Sequence, residues 1–315
     1  MKYSKFTRVS SALVCAVLLA GCGASENEGG NPRSEEEALA VPDRLTVADP
    51  AVVAASDIPV FPIEKYLPKV GEDARITAAS GELIRECMAG FGFRYEPPVL
   101  GQETLDSGEN GANRARRYGV SSASSAAVNG FHLPKDGAGG PPPPTEVPPM
   151  SEAENKVFIG DQDPANGVGP GDKVAGKEIP PGGCSGEAQR RLKIEPRQRM
   201  AEKINNVSFA RSQENAQVKK ALQEWSACMG RAGHTYKTPL DALDRLTGET
   251  PSPAELSAAK ADVKCKDSVN LVGVWFAVES EIQETLIARN EEVLAQDGTS
   301  FDALVRRASE ELAKS

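Results

Sequence analysis

Histidine and aromatic residues are scarce in this sequence. Its 315 residues contain only two histidines, His132 and His234, and aromatic residues make up 5% of the chain. No two cysteines stand in the C-x-x-C arrangement that many redox and zinc proteins contain. These absences leave few side chains for a metal centre, and we expect neither a metal nor any other cofactor.

Familiar catalytic signatures are also missing. The sequence has no G-x-S-x-G, no complete P-loop, no H-E-x-x-H, and no S-x-x-K accompanied by S-D-N. Its aspartates and glutamates lie mostly on the polar faces of predicted helices, and no two of them stand out as a catalytic pair. The sequence therefore predicts a protein that is not an enzyme.

Long apolar runs are absent beyond the first residues, and basic side chains are outnumbered. No segment after Cys22 approaches the 18 apolar residues of a membrane-spanning helix. The chain has 45 acidic and 36 basic side chains, which gives a formal net charge of −9. Because an acidic protein repels phosphate backbones, we expect no nucleic-acid partner.

The N-terminus has the organisation of a bacterial lipoprotein signal peptide. An apolar run at residues 10–20 follows three positive side chains: Lys2, Lys5 and Arg8. The run ends in LLAGC, which matches the lipobox, and Cys22 is its last residue. The match implies export, removal of residues 1–21 as the signal peptide, and attachment of lipid, including palmitate, to Cys22. Because two or three acyl chains anchor stably, we expect the protein on the extracytoplasmic face of the cell membrane.

Composition divides the rest of the chain. Residues 22–56 are polar, acidic and nearly free of aromatics, so we expect a disordered stalk. Residues 57–315 form the predicted domain, and residues 101–183 are rich in Pro and Gly, which predicts an irregular surface insertion. Period-two alternation is almost absent. The expected fold is mainly α, a disulfide-stapled helical domain with a long Pro/Gly-rich irregular insertion.

Two stretches of the domain are nearly the same. ECMAGFGFRY at 86–95 and ACMGRAGHTY at 227–236 share Cys-Met, a glycine four residues after the Met, and a final Tyr. Apolar spacing predicts a helix over 73–91 ending at Gly92, and a second helix beginning near Ser212 and ending at Gly233. The shared phrase thus predicts two similar helix ends.

Four cysteines remain after signal removal and lipid attachment: Cys87, Cys184, Cys228 and Cys265. Four cysteines in an exported chain predict two disulfides, for which three pairings exist. Each copy of the phrase has one cysteine and is followed by another at or near a helix. We therefore expect the pairs Cys87–Cys184 and Cys228–Cys265, one in each of two helix–loop–helix units; crossed pairing would refute the repeat.

Helix signals continue in the last third of the chain. Ser252 followed by Pro253 predicts an N-cap and a first helical residue. The apolar stripe that follows changes face, so we expect either a break near residue 264 or a helix buried on both sides. This stripe is predicted to end at Asp297-Gly298.

A local basic cluster, RARRYG, occupies residues 114–119 of the acidic chain. It has the charge to contact anionic lipid headgroups or wall polymers. Such a run is more often a solvated face or pairs with nearby carboxylates, and we expect that ordinary role.

The sequence as a whole resembles a group of secreted lipoproteins of actinobacteria. The residues that carry the resemblance are LLAGC, CMAGFGFRY, RRYGV, GFHLP, PPGGCSGEA, EWSACMGRAGHTY and ADVKCKDSVNLVGVW. The resemblance implies an exported, lipid-anchored protein with paired cysteines, and it implies no particular activity.

We interpret the chain as a membrane-anchored extracytoplasmic lipoprotein, a non-catalytic binding or structural module of the cell envelope. Its expected partners are the membrane, through Cys22, and a cell-wall or envelope protein. The alternative is an envelope protein that handles copper or thiols with soft ligands: Cys228, Met229, His234 and Cys265. Phe93 stands in the first copy where His234 stands in the second, which argues against a repeated metal site.

Overall fold

The computed structural model describes residues 34–42, 44–134, 150–160, 173–245 and 250–314. Within these ranges the protein is mainly helical, as the sequence predicts. The signal peptide at residues 1–21, the lipid attachment residue Cys22 and the first part of the expected stalk lie outside the described residues.

Helices of very different length make up the described part of the chain. The short ones are α1 (Glu35–Ala38), α3 (Gln102–Leu105), α4 (Ala123–Asn129) and α5 (Glu152–Ile159). The long ones are α2 (Val70–Gly90), α6 (Gly183–Leu192), α7 (Met200–Glu214), α8 (Ala216–Arg231), α9 (Pro253–Ser268), α10 (Leu271–Arg289) and α11 (Glu291–Leu312). A short hairpin pairs β1 (Lys173–Val174) with β2 (Lys177–Glu178) in antiparallel register.

The larger hydrophobic core lies among α7, α8, α9 and α10. Trp225 of α8 and Trp275 of α10 are almost completely buried in it. Tyr118, which precedes α4, stacks on Trp275 with ring centroids 4.7 Å apart. Among the described residues, these three are the largest fully buried side chains.

The smaller hydrophobic core lies among α2, α5, α6 and α11. Met88 of α2, Leu192 of α6 and Ala308 of α11 are buried there. α11 also contacts α7, so it spans from the smaller core to a helix of the larger one.

Residues 35–42 and 44–56, which the sequence predicts to be part of a disordered stalk, belong to the compact unit of the structure. This unit begins at Glu35, and we call residues 38–42 and 44–55 the N-terminal strap because they cross the domain surface in contact with it. Gln217 holds Val47 at both backbone positions, accepting from its N–H and donating to its carbonyl at 2.9 Å each. Ala55, at the end of the strap, is 1% exposed.

A second side-chain amide holds the strap further along. Asn270 donates to the carbonyl of Ala51 and accepts from the N–H of Val53, both at 3.0 Å. Gly273 lies against the same carbonyl, since a Cβ built on it would stand 2.2 Å from the Ala51 oxygen. The strap therefore depends on an amide at residue 270 and on the missing side chain at residue 273.

Part of the tract expected to be a surface insertion belongs to the core. Tyr118, Val120, Ala126 and Phe131 are all buried at 3% exposure or less. Residues 101–134 thus supply core side chains, although they contain little regular structure. Residues 135–149 and 161–172, which include the proline-rich run, lie outside the described residues.

Some helix boundaries agree with the sequence prediction and others do not. Ser252 caps α9 by accepting from Glu255 N–H, and Pro253 is its first residue. The helix break expected near residue 264 falls after Ser268, where Asn270 adopts a left-handed φ of 50°.

Two predicted helix ends are wrong. Ser212 does not cap α8; it lies inside α7, where its hydroxyl accepts from the indole N–H of Trp275 at 2.8 Å, and Asn215 is the cap. Asp297-Gly298 does not end a helix, because α11 continues through both residues.

In the part of the chain that the structure describes, no helix combines the length and the apolarity needed to cross a membrane.

We predict that Gly273→Ala releases the strap. The new methyl group cannot avoid the Ala51 carbonyl, so we expect a loss of about 1–3 kcal/mol in unfolding free energy. We also expect faster tryptic cleavage after Arg44. Gly298→Ala is the matched control, because no atom lies within 4 Å of the Cβ it would add in α11. That change should stabilise the helix by about 0.5–1 kcal/mol. Equal unfolding and cleavage in the two variants would contradict the role given to Gly273.

Candidate functional site

The repeated phrase builds the same helix C-terminus twice. Gly92 after α2 and Gly233 after α8 have φ angles of 85° and 84°, in the left-handed region. The residue after each glycine donates its N–H to the carbonyl of the buried Met, Phe93 to Met88 at 3.0 Å and His234 to Met229 at 2.9 Å. This six-to-one bond is the Schellman pattern, which satisfies a helix carbonyl and favours glycine.

The tyrosine of each copy contacts a phenylalanine from the tract between the copies. Tyr95 lies 5.4 Å from Phe158 and Tyr236 lies 6.1 Å from Phe131, measured between ring centroids. The phrase thus defines a helix end, a buried Met and an aromatic contact, all of which are structural roles.

The four cysteines lie in the two pairs that the sequence favours. The S–S distances are 1.95 Å for Cys87–Cys184 and 1.97 Å for Cys228–Cys265. The surroundings differ, because Cys184 lies in the first turn of α6 and Cys265 in the last turn of α9. The similarity between the two units therefore stops at the helix end and does not extend to a repeated fold.

The residues of the copper hypothesis do not form an open ligand set. The sulfurs of Cys228 and Cys265 are bonded to each other, and Met229 is 0% exposed. His234 contacts the hydroxyl of Ser257 at 3.4 Å. Across the described ranges, no group of three or more His, Cys, Asp or Glu side chains is placed to hold a metal ion.

Arg117 of the basic cluster is an internal residue. Its guanidinium pairs with Glu279 of α10, whose side chain is 0% exposed, and it donates to the carbonyl of Asn205 at 2.9 Å. The hydroxyl of Tyr118 donates to the other oxygen of Glu279 at 2.9 Å. Burial raises the pKa of Glu279, while Arg117 and the hydrogen bonds to the carboxylate oppose this.

The other arginines of the cluster also act within the domain. Arg116 donates to the Phe131 carbonyl at 2.6 Å, and Arg114 lies 3.4 Å from the carboxylate of Glu64. Pairing with carboxylates, the ordinary role expected for this cluster, is what Arg114 and Arg117 show.

A second buried ion pair lies within α9, and its lysine also binds the loop before α4. Lys266 donates to Asp262 at 2.8 Å and to the Val120 carbonyl at 2.7 Å, and both charged side chains are 1% exposed. The indole N–H of Trp225 donates to Asp262 at 3.1 Å. Burial raises the pKa of Asp262 and lowers the pKa of Lys266. Every charged atom has a protein partner, so we assign this pair a structural role.

A cavity of about 410 Å³ lies between α2, the connection from α6 to α7 and α11. Its volume is within the range of small-molecule sites. Its apolar wall consists of Ile76, Ile194, Phe301 and Leu304. Four cationic side chains also line it: Lys193, Arg197, Arg199 and Arg307.

Two of these cations are neutralised within the cavity. Arg197 contacts Asp297 at 2.6 Å and Glu195 at 2.8 Å. Arg199 contacts Glu202 at 2.6 Å and lies over the ring of Phe301, with 4.1 Å from its guanidinium carbon to the ring centroid. These contacts fix one side of the cavity.

The other two cations have no carboxylate partner among the described residues. Arg307 donates through Nε to the carbonyl of Leu192 at 2.8 Å, which leaves its two terminal nitrogens without a described acceptor. Lys193 follows Leu192 and ends α6 in the left-handed conformation, with φ of 54°. The contact with Leu192 therefore brings both cations to one end of the cavity.

A larger and more polar cleft of about 730 Å³ lies beside the strap. Its half-buried carboxylate, Glu64, is already engaged by Arg114, by the amide of Asn110 at 3.1 Å and by the N–H of Phe61 at 2.8 Å. This cleft offers fewer free charged groups than the cavity beside α11, which we take as the candidate binding site.

Of the residues that line the candidate site, the sequence pointed only to Asp297, as a helix end and not as a binding residue. Lys193 and Arg307 come from segments more than 100 residues apart, and neither belongs to a motif. The nearest local signal is a pair of basic residues in the last turn of α6, Arg190 and Arg191. Basic residues are common in the last turn of helices, so this pair does not indicate a binding site. Comparison with family models, with curated proteins and with solved structures finds no match for this chain.

We predict that Arg117→Met destabilises the domain by about 3–5 kcal/mol at neutral pH, because it leaves the Glu279 carboxylate buried without its cation. Removing the cation raises the pKa of Glu279 further in the folded state and leaves its unfolded value unchanged. The folded variant then binds a proton more tightly than the unfolded chain, so its stability increases as the pH falls between those two pKa values. Denaturant unfolding at several pH values measures both effects.

Arg211→Met is the control for this prediction. Arg211 pairs with Glu214 on the surface of α7, where both side chains are more than half exposed. The loss should be about 0.5 kcal/mol or less and should not depend on Glu279. A loss as small for Arg117→Met would show that the buried pair is not needed.

We predict that the paired replacement of Cys87 and Cys184 by Ala lowers the unfolding free energy by about 4–5 kcal/mol. The crosslink closes a loop of 97 residues, and its loss restores loop entropy to the unfolded chain. The Cys228/Cys265 double replacement, with a separation of 37, should cost somewhat less, about 4 kcal/mol. Denaturant unfolding measures the losses, and a non-reducing peptide map checks the pairing. Crossed pairs in that map would refute the assignment.

Proposed function

We propose that this protein is a lipid-anchored lipoprotein of the cell envelope, with a non-catalytic binding domain on the extracytoplasmic face of the membrane. The observation that carries the proposal is the LLAGC sequence ending at Cys22, which follows a basic and apolar signal-like segment. The two cysteine pairs support it, because disulfides persist in oxidising compartments.

A binding role is supported by the cavity beside α11. It combines an apolar wall with a few charged groups, as ligand-binding sites usually do, and its volume suits a small molecule. The buried ion pairs elsewhere are closed off by protein partners, so they offer no exposed acid or base for catalysis. The membrane, through Cys22, and an envelope or cell-wall component are the partners that this proposal includes.

We do not propose the copper- or thiol-handling alternative. It requires Cys228 and Cys265 as thiolates, and their disulfide removes both.

We predict that Cys22→Ala moves the protein from the membrane fraction to the medium or to the signal-bearing precursor. Mass spectrometry of the N-terminal peptide should find a diacylglyceryl group on Cys22 in the wild-type protein and none in the variant. Cys15→Ala, inside the signal segment, is the control and should leave the fractionation unchanged. An unmodified Cys22 in protein recovered from membranes would overturn the proposed anchoring.

A further inference from the structure

The geometry points to an anion-binding site in the cavity beside α11, which takes a small amphiphile whose carboxylate or phosphate head lies between Lys193 and Arg307. This inference rests on the binding role proposed above and names the ligand class of that site. It depends on three features: two cations without carboxylate partners, an apolar wall beside them, and the length of the cavity along α11.

The first feature is an excess of positive charge at one end of the cavity. The four carboxylates that line the cavity all contact Arg197 or Arg199: Asp73, Glu195, Glu202 and Asp297. Lys193 and Arg307 have no such partner among the described residues. Although the protein as a whole is acidic, this end of the cavity therefore attracts an anion and repels a cation.

The second feature is that Arg307 is held ready for an anion. Its Nε–H bond to the Leu192 carbonyl fixes the plane of the guanidinium while its terminal nitrogens remain available. A planar guanidinium recognises the two oxygens of a carboxylate or phosphate with parallel hydrogen bonds. Lys193, the residue after Leu192, adds a second cation, the ammonium group of an exposed side chain.

The third feature is the apolar wall next to this charged end. Ile76, Ile194 and Leu304 are half-buried side chains at the edge of the smaller core. Leu304 precedes Arg307 by about one turn of α11, so an anion at Arg307 places its next carbons against this wall. A purely polar anion would leave these side chains uncovered, whereas an alkyl chain buries them.

The length of the cavity limits the ligand. Its lining on α11 runs from Asp297 to Arg307, a separation of ten residues or about 15 Å of helix. Arg197 contacts Asp297 at the far end of this stretch, and Arg199 lies over Phe301 near its middle. A head group with an alkyl chain of about eight carbons fits this length, and a ligand of that kind leaves no charge of its own against the apolar wall.

The test uses the chain from residue 22 to 315 with Cys22→Ser, which needs no detergent. Calorimetric titration with octyl phosphate and octanoate, and with octanol and octyltrimethylammonium as uncharged and cationic controls, measures the preference. We expect at least one anion to bind with a Kd below about 1 mM and the two controls to bind at least tenfold more weakly. Added salt should lower the affinity for the anion, because it screens the two cations. The tighter anion identifies the head group as a phosphate or a carboxylate.

Charge-removing variants then locate the site. Lys193→Asn and Arg307→Gln should each lower the affinity for the anion about tenfold. Asn is chosen at residue 193 because it tolerates the left-handed backbone there. Arg307→Lys should recover part of the loss. Lys219→Gln is the matched control, because this exposed lysine of α8 lies outside the cavity and should not change affinity. Thermal unfolding checks that the variants are folded; Lys193→Asn removes no described side-chain contact.

Several outcomes would overturn the inference. They are the failure of both anions to bind below about 1 mM, equal binding of octanol, and unchanged affinity in folded Lys193→Asn and Arg307→Gln variants. If the soluble chain binds the anion but wild-type protein from cells carries no lipid on Cys22, the proposed anchoring is refuted and the anion site is supported. If Cys22 carries lipid but the soluble chain binds neither anion, the anchoring is supported and the anion site is refuted.

Discussion

The ion pair between Arg117 and Glu279 is the constraint on which the larger core depends. A carboxylate at 0% exposure is tolerated only when cations and hydrogen-bond donors surround it, and Arg117, Tyr118 and Ser208 supply them from two distant parts of the chain. Satisfying Glu279 therefore draws the tract before α4 into the core and places Tyr118 on Trp275. A segment with little regular structure is thereby fixed by charge and by aromatic stacking together.

Crosslinks and the strap complete a domain whose aromatic content is low. Cys87–Cys184 joins α2 and α6 of the smaller core, and Cys228–Cys265 joins α8 and α9 of the larger one. The strap covers the larger core on the side where Gln217 lies in the first turn of α8 and Asn270 lies between α9 and α10. The cavity beside α11 remains open next to the smaller core, where Lys193 and Arg307 meet the solvent.

Local signals in the sequence were predictive where a few neighbouring residues decide the structure. Ser252 caps α9 and Gly92 ends α2, because capping and left-handed turns involve residues within one helical turn. The same reasoning failed for Ser212, whose hydroxyl is occupied by Trp275, and for Asp297-Gly298. Asp297 accepts from the first N–H of α7 and from Arg197, so it acts at the start of another helix while α11 continues past it. Such partners, about 60 to 100 residues away, leave no periodic signal.

The sequence by itself determined the helical class, the two matching helix ends and the favoured cysteine pairing, because spacing, glycine and cysteine act over short distances or through a single bond. Only the tertiary structure decided that residues 38–42 and 44–55 form a strap, that Arg117 is internal, and that Lys193 and Arg307 share a cavity. Each of these results needs a contact between distant segments, such as Arg307 with Leu192 across 115 residues. Composition described the stalk as polar and left open whether the arginines are solvated or paired with carboxylates, since it cannot count the hydrogen-bond partners that folding brings to them.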